Sequence, residues 1–249
     1  MSRAKYDTAA DFYAEFVKTA LASPTSVLSV VTKQVTKALG EVDGLQICDL
    51  ACGEGHLSRY LAEQGGVVTG VDISEGLLER ARRQTPDGLE LRYVQDDAQT
   101  LTTFPEPSFD IVVSNMALMD IPNIEGVFDS CFRILKPGGL FVFSVLHPCF
   151  ETPFDKDNPP IETSSGKFVA CRVSRYLEEG HWTSGGEGVR GRVGAYHRTL
   201  ATYLNALLAS GFCLSEVREP ALPPGAYETV EAQWFSKIPR GLVLKSRKP

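Results

Sequence analysis

The sequence predicts an α/β fold built on an open, doubly wound sheet of seven strands, mostly parallel with one antiparallel strand near the edge. Three observations carry this. From residue 45 to 147, short apolar runs alternate with helical stripes, the rhythm of right-handed βαβ units. The first apolar run ends in two closely spaced glycines, Gly53 and Gly55, and a helical stripe starts straight after them. Two late apolar runs, from Phe212 and from Gly241, have no crossover helix of good length between them, which predicts a closing hairpin.

Taken in order, Ala9, Phe12, Tyr13, Phe16, Val17 and Ala20 recur at helical spacing. Ser23 and Pro24 suit the cap and first position of a second helix, which carries Val27, Leu28, Val31, Val35, Ala38 and Leu39 and stops at Gly40. Strand one is Leu45 to Leu50. Leu57, Tyr60 and Leu61 give the next helix its apolar face. Strand two, Val67 to Val71, ends at Asp72, and Ser74 can cap a helix with Leu77, Leu78 and Ala81 that breaks at Pro86-Asp87-Gly88. Strand three is Leu89 to Val94 and strand four Phe109 to Ser114. A helix with Ile124, Val127, Phe128, Cys131 and Leu135 follows, and Lys136-Pro137-Gly138-Gly139 turns the chain into strand five, Leu140 to Leu146, apolar throughout and so buried on both faces.

Residues 148–196 break the rhythm with Pro159-Pro160, a strand-like run from Phe168 to Val173 and a glycine-rich stretch. The segment leaves the C-terminal end of a central strand, where open α/β sheets bind ligands, and reads as a substrate cap. A helix with Leu200, Tyr203, Leu204, Leu207 and Leu208 stops at Gly211 before the two closing strands. The expected organisation is one domain over 1–249: helices in 1–44, a ligand-binding core in 45–147, the cap, and closing elements in 197–249.

Of the residues, 43% are hydrophobic and 22% charged, with net charge −6. An acidic balance disfavours a dedicated nucleic-acid partner. No apolar run approaches the length of a transmembrane helix, and the N-terminus lacks a signal-peptide core. The six cysteines contain no C-x-x-C pair and read as reduced thiols of a cytoplasmic protein without a metal site.

The chemistry is concentrated in Asp49-Leu50-Ala51-Cys52-Gly53-Glu54-Gly55. Glycine reaches positive φ cheaply and has no Cβ to block a ligand, and the helix behind offers unpaired N–H groups. The third glycine of the dinucleotide fingerprint would fall at Ser58, and an acid, Asp49, sits on the strand. A pyrophosphate disfavours a nearby carboxylate, whereas a cofactor bearing an ammonium and a sulfonium can use one. Asp72 ends strand two, where an acid can accept ribose hydroxyls. With Val71-Asp72-Ile73-Ser74, Asp97-Ala98, Phe109 to Asn115 and Leu135 to Gly139, the motif resembles the class I S-adenosylmethionine (SAM)-dependent methyltransferases, in their small-molecule branch.

The resemblance implies a Rossmann-like sheet and SAM as cofactor, S-adenosyl-L-homocysteine as product, and no metal. It places Asp49, Ala51, Gly53 and Gly55 at the methionine part, Asp72 at the ribose, Ile73 against adenine, Asp97 with Ala98 at the adenine amino group, and Asn115 and Met116 at the methyl-donor pocket. It makes the N-terminal segment a lid, with Tyr13 on the cofactor and Tyr6 on the substrate. The expected activity is methyl transfer to an O, N or C nucleophile of a small molecule by a monomer or homodimer, with no membrane partner. A base is needed only if that nucleophile must lose a proton. His147, just past strand five, is the first candidate base and His197 the second. Tyr176, Trp182 and Tyr196 are candidate substrate contacts in the cap. The rival readings are a non-methylating enzyme of cyclase type or a binding module on the same scaffold. A nucleic-acid or protein methyltransferase is disfavoured, because Asn115-Met116-Ala117-Leu118 lacks the Asn/Asp-Pro-Pro-Tyr of amino-methylating enzymes.

Overall fold

A computed structural model describes residues 6–7, 10–151, 153–154, 161–225 and 227–249. Pro159-Pro160 lies outside the described residues. The seven sheet strands are β1 (Gln46–Leu50), β2 (Val67–Asp72), β3 (Leu91–Gln95), β4 (Phe109–Asn115), β5 (Leu135–Leu146), β10 (Cys213–Arg218) and β11 (Gly241–Arg247). Their order is β10-β11-β5-β4-β1-β2-β3. β11 runs antiparallel to both neighbours, and the pairs from β5 to β3 are parallel. The mostly parallel seven-stranded sheet with one antiparallel strand next to the edge is the predicted one. The strand order reverses between β1 and β4, so their C-terminal ends open a crevice.

Alternation along each strand divides the core. One sheet face carries Leu50, Val112, Phe141 and Phe143 against α5 (Ile124–Ile134) and α7 (Leu200–Ala209). The other carries Ile47, Val113, Val142 and Val243 against α2 (Val27–Leu39) and α3 (His56–Glu63). Neighbouring residues on one strand thus serve opposite layers, as a parallel sheet buried on both faces requires. Aromatic rings fill the first layer: Phe141 lies 5.2 Å from Phe143 and 5.8 Å from Phe128 between centroids. α1 (Ala10–Ala22) packs on α2 and on α4 (Glu75–Gln84).

Several local expectations differ from the structure. Ser26, not Ser23, caps α2: its backbone is extended and its Oγ accepts the Ser29 N–H, while Pro24 and Thr25 form the turn before it. Tyr60 faces solvent and leaves the buried stripe of α3 to Leu57 and Leu61. β5 begins at Leu135, so Lys136-Pro137-Gly138-Gly139 lies inside the strand, where Gly138 and Gly139 pair with Lys248 near the chain's end. Residues 148–196 hold two hairpins, β6 (Ile161–Ser164) with β7 (Lys167–Cys171) and β8 (Gly180–Trp182) with β9 (Ala195–His197), and the short α6 (Val189–Arg192). The link from β10 to β11 contains a helix that the periodicity did not reveal, α8 (Val230–Phe235), packed on β7.

Candidate active site

The end of β1 is shaped by its backbone. Ala51 takes φ 54°, an unusual value for a residue with a Cβ, and Gly53 and Gly55 continue at 59° and 82°. A Cβ on Gly55 would lie 2.4 Å from Tyr93 Oη, so strand three itself enforces glycine there. The Gly53 N–H donates to Asp72 Oδ2 at 2.9 Å and the Ser74 N–H to Oδ1 at 2.8 Å. These bonds tie the glycine turn to the end of β2. Burial pushes the Asp72 carboxyl up, and the backbone donors oppose it. Asp49 is buried one step behind, with Ser58 Oγ donating to it at 2.5 Å, and burial lifts its pKa to about 6.

Two cavities meet in front of these strand ends. The first, about 160 Å³, lies over β1 and β2 and is lined by Ala51, Gly53, Asp72, Ile73, Asp97 and Ala98. The second, about 570 Å³, lies between the N-terminal helices, residues 184–190 and residues 229–240. Tyr6, Tyr13, Met116 and Asp120 line both. Tyr6 and Tyr13 meet edge to face at 5.0 Å. Tyr6 donates to Asp120 Oδ2 at 2.8 Å, and the other Asp120 oxygen pairs with Arg190. Burial, followed by the Asp120 charge, pushes both phenols up, so they are neutral donors in the working pH range. Met116 holds φ 56°, which brings the end of β4 into the junction of the cavities.

The sequence-derived cofactor residues divide into two groups. Tyr13, Ala51, Gly53, Asp72, Ile73, Asp97, Ala98 and Met116 line the first cavity. Asp49, Gly55 and Asn115 stand behind its wall. Asn115 donates to Thr32 Oγ1 at 2.8 Å and accepts from Ser144 Oγ at 2.8 Å, which stitches β4 to α2 and β5. Tyr6, expected on the substrate side, lines both cavities.

The cap residues and the histidines sit elsewhere than expected. His147 lines neither of the two cavities. Its Nδ1 accepts the Cys149 N–H, so Nε2 carries the proton and meets Glu219 at 2.9 Å. Neither nitrogen is left to take a proton from an acceptor, and the geometry gives His147 a structural place at the end of β5. His197 Nε2 bonds the Tyr176 carbonyl at 2.9 Å. His197, Trp182 and Tyr196 border a separate cleft of about 30 Å³, and the Tyr176 hydroxyl accepts the Leu200 N–H at 2.8 Å. These residues fasten the β8–β9 hairpin to α7 instead of facing Met116. Asp120, Phe235 and Arg240 also stand in the walls, outside the set of site residues that the sequence predicts. Asp120 had a signal, an acid just past strand four. Phe235 and Arg240 had none, because they lie in the link whose helix is too short to show a period.

A family model described as a methyltransferase domain matches residues 48–143. An SAM-dependent methyltransferase from Mesorhizobium loti, solved as a crystal structure, is 32% identical, with 86% of this chain and 96% of that one covered at a TM-score of 0.68. A methyltransferase of the same dependence from Listeria monocytogenes is 29% identical over 89% of this chain and 99% of its own, at a TM-score of 0.74. A ubiquinone biosynthesis O-methyltransferase from Alkalilimnicola ehrlichii is 35% identical over 114 residues, 45% of this chain and 46% of that enzyme. The match therefore spans about half the length of that enzyme. The chain belongs to the class I SAM-dependent methyltransferases.

The residues of the first cavity suit SAM. Ile73 leaves half its apolar surface exposed on the cavity wall, a platform for a purine. Asp72 and Asp97 offer only acceptors while ionised, as ribose hydroxyls and an exocyclic amine need. Among the described residues no cluster of three or more His, Cys, Asp or Glu could hold a metal ion.

Proposed function

We propose that the protein moves a methyl group from SAM to an O, N or C nucleophile of a small molecule. One observation carries this reading: a cavity of about 570 Å³, in the size range of small-molecule sites, shares the wall of Met116 and Asp120 with the SAM-side cavity. The similarity to a ubiquinone biosynthesis O-methyltransferase supports a small acceptor too.

Bound in the first cavity, SAM supplies a methyl group made electrophilic by the positive sulfur that carries it. The chain supplies position and dryness. Asp72 would take the ribose hydroxyls, Ile73 and Ala98 would lie along the base, Asp97 would meet its amino group, and Asp49 would add negative charge behind the glycine turn. Tyr6 and Tyr13 cover both cavities and exclude water. Alignment of this kind is worth up to about 7–11 kcal/mol. Asp120, the carboxylate on the shared wall, holds Tyr6 with one oxygen and Arg190 with the other and so fixes both at the junction of the cavities.

Calorimetry is the direct test. The expected result is binding of SAM and of S-adenosyl-L-homocysteine with dissociation constants on the order of micromolar, near −8 kcal/mol. Absence of heat with either ligand would remove the reading. A screen with methyl-labelled SAM against small molecules then identifies the acceptor.

A further inference from the structure

The larger cavity contains two guanidinium groups, and they differ in what neutralises them. Arg190 is paired with Asp120 and also donates to the Gly194 carbonyl at 3.0 Å. Arg240 sits immediately before β11. Its carbonyl accepts the His147 N–H at 3.1 Å, which fixes its backbone to the end of β5. Its guanidinium lies over the Trp234 ring, 4.1 Å from the centroid. Among the described residues no hydrogen bond or ion pair reaches any of its nitrogens, and the buried Nε has no partner. Glu151 and Glu231 act on it only through space, and burial outweighs them.

An arginine cannot shed its charge, and a buried donor without a partner is costly. The contact with Trp234 lies on the flat face of the group, its Nε is enclosed, and the edge formed by the two terminal nitrogens carries the donors left to a ligand. That edge matches a planar carboxylate with two parallel hydrogen bonds. The cavity wall carries the apolar Val27, Leu28, Leu146, Ala232 and Phe235 beside the polar Thr229 and Glu231.

We propose that Arg240 binds a carboxylate of the methyl acceptor, a largely apolar molecule held by this end while its nucleophile faces Met116 and Asp120. The inference rests on the second cavity being the acceptor site. The acceptor class is thus an organic acid with an aromatic or aliphatic body.

The test uses the full chain saturated with S-adenosyl-L-homocysteine, so that a failure of cofactor binding is seen first and separately. 2-Naphthoate and 2-naphthamide, identical in body, are titrated by calorimetry. The acid should bind at least about tenfold more tightly, as expected when a charge-assisted pair replaces a neutral contact. Arg240→Met, which keeps an apolar stem on Trp234, should abolish the difference and leave S-adenosyl-L-homocysteine affinity unchanged. Equal binding of acid and amide to the native chain overturns the proposal, whether or not the variant folds. So does an acid preference that survives Arg240→Met, or tighter binding of 2-naphthyl phosphate than of the acid.

Discussion

Asp49 is a carboxyl buried at the end of β1, one step behind the turn that Gly53 and Gly55 form, among apolar neighbours. Its burial behind Ser58 and its pKa of about 6 depend on packing that no spacing discloses. Between the unfolded value near 3.9 and about 6, the native protein holds a proton that the unfolded chain has lost. The favourable contribution of the neutral carboxyl is full below that window and is lost as the pH rises through it, roughly 3 kcal/mol in all. Asp49→Asn keeps an acceptor for Ser58 and removes the ionisation. Denaturant midpoints at pH 4.5 and 7.5, values on either side of about 6, should show the variant gaining stability on the native chain as pH rises. The same variant should bind SAM about tenfold more weakly, from loss of a nearby negative charge. A stability difference between variant and native chain that does not change between the two pH values would contradict the assignment. Asp120 and Arg240 were harder to read. A charge in a connection looks solvated until the fold turns it inward.

At the scale of elements, helices with wide apolar stripes were legible, because a stripe states both the helix and the face it buries. α2, α4 and α5 follow this rule, whereas Tyr60 in the stripe of α3 and Leu208 in that of α7 face solvent. α8 was not, since its six residues complete fewer than two turns. The two hairpins of 148–196 were only half visible, as β7 alone has a strand-like composition. The N-terminal segment was recognised as helical, but its attachment was not. Three contacts fasten it over the SAM side: Tyr6 to Asp120, Asp11 to Arg80, and Asp7, whose Oδ1 accepts from Ser74 Oγ at 2.5 Å. The exposed Asp11 pair contributes little. The part-buried Asp7 bond is charge-assisted and worth about 1.5–3 kcal/mol. If the segment closes over bound SAM, Asp7→Ala should speed SAM release by about tenfold and change association less than about twofold, since the broken contact forms after entry. Stopped-flow displacement by excess S-adenosyl-L-homocysteine measures this. An unchanged release rate would show that the segment does not gate the ligand.

Across the whole molecule, the parallel sheet follows from the alternation of strands and helices, but the site does not follow from the sheet. Its floor comes from the ends of β1, β2 and β4, its roof from Tyr6, Tyr13 and Phe16, and its far wall from residues 229–240. Such a site ties distant stretches of chain into one cooperative unit. β11 strengthens that unit by pairing with β5 along seven residue pairs, from Gly241 with Leu146 to Arg247 with Leu140. A ligand that binds only the assembled site should therefore raise the stability of the entire fold. At a SAM concentration of about 100 times its dissociation constant, linkage gives about 2.7 kcal/mol. For a chain of this size, that corresponds to a rise in Tm of roughly 5–10 °C. The rise should appear alike in near-UV and far-UV circular dichroism, because one transition is being shifted. Asp72→Asn keeps acceptors for one backbone donor but loses the charge facing the ribose, and at the same SAM concentration its Tm should move by less than about half as much. A native shift confined to the near-UV signal would mean that SAM orders the roof without stabilising the sheet beneath it.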